Sequence, residues 1–165
     1  MSTIASTLAS NRNSLFRSIA LGGMIIGTLH ITIQHFLFYS VLGKFPFTSI
    51  MQYIASGVLG EAAFAGGLAT ASLGVLFHYL IAFVVAGVFI VSAARIPLLR
   101  RNIIVGSLLY GIAVYFVMEM IVVPLSATPE VVRTQFEIIE LTIEHALLIG
   151  LPLGLLVRRN ANAGQ

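Results

Sequence analysis

Apolar residues run along this chain in four long stretches, separated by short polar or basic ones. They cover Ser18–Leu42, Thr70–Ala94, Ile103–Ser126 and Ile138–Val157. Each has about the 20 residues that a helix needs to cross the hydrocarbon core of a bilayer. No water is available there to satisfy backbone groups, so each stretch must be helical. The pattern predicts an all-α integral membrane protein, a four-transmembrane-helix bundle over residues 18–157. A polar segment, 1–17, precedes it and a short tail, 158–165, follows. The first stretch is too long for a signal peptide and has no small-x-small site at its end, so it reads as an uncleaved anchor.

The connection after the first stretch, FPFTSIMQYIASGVLGEAAFAGG, is too long for a turn and too polar to span. Ser49, Gln52, Ser56 and Gly60 recur in it at helical spacing, with Phe47, Ile50, Met51, Ile54 and Val58 on the other side. This predicts a short interfacial helix over Phe47–Gly60, capping the bundle.

Composition agrees with the pattern. Of 165 residues, 58% are hydrophobic and 9% charged, against about 25% charged in a soluble domain. Mean hydropathy is +1.01. Cysteine is absent, which excludes disulfides and thiolate metal sites. The net charge of +3 does not point to nucleic acid, because the basic residues cluster at helix ends. Arg12 and Arg17, then Arg95, Arg100 and Arg101, then Arg158 and Arg159 all fall on one side, leaving Lys44 and Arg133 for the other. The positive-inside rule then places both termini in the cytoplasm. The partner that follows from the composition is the lipid bilayer, with self-association open.

The ionisable residues inside the spans stand out against this background. At 1.5 Å per residue from the outer ends, His35, His78, Glu119, Glu144 and His145 lie about 10–12 Å deep, and His30 about 18 Å. Glu140 lies nearer the surface. A charge at mid-membrane costs about 3 kcal/mol, and such groups face a bundle interior or water. The shared depth predicts one outward-opening pocket of His78, Glu119, Glu144 and His145, with His35 and His30 beside it. Gln34, Tyr115 and Glu140 are the supporting polar groups. On a regular α-helix His30 and His35 diverge, so one of them is expected at a contact between copies of the chain. Glycine pairs Gly23-x-x-x-Gly27 and Gly150-x-x-x-Gly154 fall at matched cytoplasmic depth, which predicts close packing of the first and fourth spans there. Pro124 and Pro152 are expected to kink the third and fourth spans.

Three chemistries suit such a pocket. A divalent metal ion suits histidine and carboxylate ligands, with His78, Glu119, Glu144 and His145 as candidates. The Glu-x-x-His spacing of di-iron bundles is absent. A proton site would use a desolvated glutamate beside a histidine. Haem b would need two facing histidines, such as His78 and His145. The plainer alternative is that these groups only join helices by hydrogen bonds, as in an accessory or scaffold subunit. No nucleophile motif, phosphate loop or nucleotide fingerprint appears, which argues against a conventional enzyme.

FHYLIAFVVAGVFIVSA, the short basic loop, Gly106, VVPLSATP closing the third span and Glu144-His145 before a membrane helix and an arginine pair together resemble the YagU-like family of small bacterial inner-membrane proteins. The resemblance spans Leu76–Arg159, about half the chain. It implies a bacterial inner-membrane location and a family of unsettled biochemical function. His78, Pro124 and His145 match its positions. Where it leads one to expect a histidine in the third span, this chain has Glu119, which argues against an all-histidine metal or haem site.

Overall fold

The structure, a computed structural model, describes residues 2–43 and 45–163, with side chains from 13 to 161 apart from residue 44. Lys44, Met1, Gly164 and Gln165 lie outside the described residues, as does the Arg12 side chain. The described residues are mostly helical, with no strand among them. Four helices are long and apolar enough to cross a membrane: Asn13–Val41, Gly67–Arg95, Ile103–Leu125 and Gln135–Ala161. The first is α1 (Ser2–Leu29), continued as a π-helix over His30–Val41. The second is α3 (Gly67–Arg95). The third joins α5 (Ile103–Val117), a π segment Met118–Val122 and α6 (Val123–Leu125). The fourth joins α7 (Gln135–His145), a π segment Ala146–Gly150 and α8 (Leu151–Ala163).

Two of the π segments have a local cause. Pro124 and Pro152 each lack an N–H and crowd the carbonyl four residues before them. In each case the preceding turn widens to i→i+5 bonding and re-satisfies the freed groups. The prolines thus act through a widened turn just before them. No proline lies inside the first and longest π run, and nothing in its local sequence accounts for it.

Small residues decide which helices meet. On α3 the stripe Ala71, Gly74, His78, Ala82 and Ala86 is buried, while Leu76, Leu80, Val84 and Val88 are exposed on the opposite, lipid-facing side. The glycine pairs pack, but not on each other as their depths predict. A Cβ at Gly23 or Gly27 would run into Phe83 or Tyr79 of the second span. A Cβ at Gly150 or Gly154 would run into Ser107 of the third, and one at Gly111 into the backbone at His145. Matched depth cannot tell which neighbour a helix face meets. The first and fourth spans instead touch through Gly22, where a Cβ would lie 3.1 Å from Leu153. The apolar core, including Ile26, Ala86, Phe89, Ile90, Leu153 and Leu156, fills this half of the bundle.

The other half is roofed by α2 (Phe47–Leu59) and by the connection before α7. Gly74 admits the α2 backbone, since a Cβ there would meet the Met51 carbonyl. Gln52 and Ser56 are buried while Val58 is exposed, so part of the polar side of α2 turns inward. Gln52 Nε2 donates to the carbonyl of Gly67 at 3.1 Å, which binds the start of α3. Ala127 N donates to the Gly57 carbonyl at 3.0 Å, tying the two roof segments together. Thr134 and Glu137 form a capping box at the start of α7, satisfying orphan N–H groups.

Candidate functional site: a histidine and glutamate cluster

All four histidines of the chain converge beneath this roof, with Glu144 among them. They come from three spans. On an α-helix, residues five apart diverge by about 140°. The i→i+5 bonding of the His30–Val41 segment stacks such residues instead. His30 and His35 therefore share a face, with ring centroids 4.7 Å apart. This overturns the expected divergence and removes the reason to assign one of them to a contact between copies.

His30 stacks on His78 at 5.4 Å and meets His145 edge-on at 5.0 Å. Its Nε2 lies 3.3 Å from Glu144 Oε1. His145 Nδ1 lies 3.0 Å from Glu144 Oε2. Two overlapping triads, His30–His35–His78 and His30–Glu144–His145, each hold their donor atoms within 4.8 Å of one another. His78 and Glu144 are buried, and Tyr115 is buried with its ring 5.4 Å from that of His145.

Backbone carbonyls orient two of the rings. His78 Nε2 donates to the Gly27 carbonyl at 2.9 Å, and His145 Nδ1 to the Leu141 carbonyl at 2.9 Å. A carbonyl only accepts, so those nitrogens carry hydrogen. In the neutral rings the opposite nitrogens, His78 Nδ1 and His145 Nε2, keep their lone pairs. This is the arrangement by which second-shell carbonyls prepare metal-binding imidazoles.

Other groups stay unsatisfied. His30 Nε2, His35 Nδ1 and both Glu144 oxygens are buried without a hydrogen-bond partner. The contacts of Glu144 with the two histidines are close but not aligned as hydrogen bonds. Both amide atoms of Gln34, itself 1% exposed, are likewise without partners. Each such group costs roughly 1–3 kcal/mol if nothing else binds it. Several such groups together leave lone pairs and hydrogens unused in one place.

Glu119 has another commitment. It lines the cavity over the cluster but forms a two-armed pair with Arg133, at 2.8 Å from Nε to Oε2 and 2.7 Å from Nη2 to Oε1. It is therefore not a member of either ligand triad, and the expected set of His78, Glu119, Glu144 and His145 changes accordingly. The hydrogen bonds to Glu119 hold Arg133 charged, raising its pKa despite burial. Burial also raises the Tyr53 hydroxyl, so this phenol stays neutral beside the pair. Glu140 is half-buried and belongs to neither triad. Arg133, which the sequence suggested only as a loop residue on the sparsely charged side, lines both cavities beside the cluster.

Two cavities meet at the cluster. One, of about 230 Å³, is a slot between the second and third spans, walled by residues such as Ile81, Val85, Met118 and Val122. The Tyr110 hydroxyl of the third span donates to the Val85 carbonyl of the second at 2.8 Å. The other, of about 320 Å³, lies under α2 and includes Gln34, Tyr39, Phe45 and Phe64. They share His30, His35, Ile50, Tyr53, Glu119 and Arg133.

In comparisons with known proteins, no family model, no curated protein and no solved structure matches this chain.

Proposed function

We propose that this chain is a bacterial inner-membrane protein of ion homeostasis that binds a divalent transition-metal ion in the His30, His35, His78, Glu144 and His145 cluster. The observation that carries this is the set of buried imidazole and carboxylate atoms left without partners, beside two imidazoles aimed by backbone carbonyls. Nitrogen ligands with one carboxylate suit zinc, iron or manganese better than calcium or magnesium, which prefer all-oxygen shells. The arginine distribution supports cytoplasmic termini and a site that opens toward the opposite face. A path for the ion would begin at the Arg133–Glu119 pair, which lines both cavities.

The test is metal analysis of the purified protein after chelation and reloading with cobalt, followed by its visible absorption. A stoichiometric ion with a ligand-field spectrum is expected, lost in Glu144→Ala and His30→Ala but kept in Glu119→Ala. Protein that stays metal-free under all loading conditions would sink the proposal. A proton relay is the second reading. It is favoured by the position of Glu144 between two imidazoles, at 3.3 and 3.0 Å, and it predicts proton flux in metal-free proteoliposomes. Either role fits a YagU-like membrane protein, the kinship that the sequence motifs suggest.

A further inference from the structure

The metal cluster does not use Gln34, whose amide is 1% exposed, lines the larger cavity and has no partner at either atom. Beside it His35 Nδ1 is also without a partner. The cavity around them has Phe45, Phe64, Ile50 and Leu141 as apolar wall, with the paired Glu119 and Arg133 at its side. Its 320 Å³ falls in the range of small-ligand pockets, about 300–1,000 Å³ with a few placed polar groups. The adjoining slot is apolar along Ile81, Val85, Met118 and Val122, and Ile81 and Val122 are 36% and 41% exposed on the membrane-facing surface. Polar groups thus stand at the inner end of an apolar passage that opens sideways into lipid.

We propose that this passage is a binding site for a lipid-soluble quinone, with the ring in the larger cavity and the tail in the slot between the second and third spans. The head must be uncharged. Arg133, the arginine that lines both cavities, is already held by both oxygens of Glu119, so among the described residues no arginine or lysine there is left for a carboxylate or phosphate. The head must also form hydrogen bonds, or the Gln34 amide stays orphaned. A primary amide both donates and accepts, and a neutral imidazole does so through its two nitrogens. Such a pair receives a quinone through its carbonyls and a quinol through its hydroxyls. The inference rests on the site described above but does not require that a metal occupy it.

The experiment uses chelator-treated full-length protein in detergent. A decyl-substituted benzoquinone is titrated while tyrosine fluorescence is followed, since the chain has five tyrosines and no tryptophan. Saturable quenching is expected. Gln34→Leu should weaken it about tenfold, the loss of one or two hydrogen bonds. Val85→Phe, which narrows the slot without adding a tryptophan, should weaken it by a similar factor. Gln34→Glu, which keeps the size and adds a charge, serves if the leucine variant does not fold. Decanol, with the same tail and no ring, should displace the quinone poorly. Unsaturable quenching, equal displacement by decanol, or unchanged affinity in the Gln34 variants would overturn the proposal. Because metal is absent throughout, failure here is separate from failure of the metal reading.

Discussion

The two halves of this bundle are built on opposite terms. Toward the arginine-rich ends, helices approach through glycine, alanine and serine, and the core is apolar and filled. Under α2 the first and third spans widen into π turns, and the bundle encloses two cavities and leaves polar atoms unsatisfied. Lipid offers no hydrophobic drive for helices to associate, so close packing must hold the bundle together. One half supplies that packing. The other half can then tolerate unsatisfied groups and empty space, each of which costs stability on its own. Strain and orphan groups that the rest of a structure maintains are a usual mark of a functional site.

That contrast can be broken first at the tight end. At Gly150 an added Cβ would strike the Ser107 backbone, so relief requires one helix to shift rather than a side chain to turn. Gly150→Ala should cost about 3 kcal/mol, near the top of the range for overpacking. Unfolding in mixed detergent, followed by circular dichroism, measures it. A cost below about 1 kcal/mol would mean that this end is not tightly packed.

The open end should respond with the opposite sign. Gln34→Leu removes two orphaned amide atoms and should raise stability by about 1–2 kcal/mol in the same assay. A loss of stability would show that the amide has partners that hold it in place. Next comes the roof. Arg133→Gln leaves Glu119 half-buried without its cation and should cost about 1 kcal/mol, since the pair is 19% and 25% exposed and so partly screened. Thermal melts at low and high salt would show the difference between wild type and variant narrowing as salt rises. The smallest effect belongs to Gly57, where a Cβ would meet Thr128 Oγ1 at an ordinary 3.5 Å. Gly57→Ala should change stability by less than about 0.5 kcal/mol. This is the control that separates tight glycines from merely small ones.

Much of the molecule was legible beforehand. The four spans, the α2 helix and the involvement of His78, Glu144 and His145 follow from hydropathy, depth and the rarity of charge. Three features were not legible. His30 and His35 converge only because the helix between them is π-bonded, and no local residue dictates that. Glu119 sits at the right depth but pairs with Arg133, which comes from a loop whose path depends on α2. The glycine pairs have the right chemistry, yet depth alone could not say which helix each one faces.

The division has one physical cause. Burial in lipid and helical bonding are local demands, met within about 20 residues, so the order of residues alone determines spans, helicity and the presence of intramembrane histidines. Which faces meet, how far a turn widens and which carboxylate keeps its cation depend on contacts between residues distant in the chain. Tertiary packing alone decided that four histidines and Glu144 share one place, and that Glu119 stands guard at its edge with Arg133.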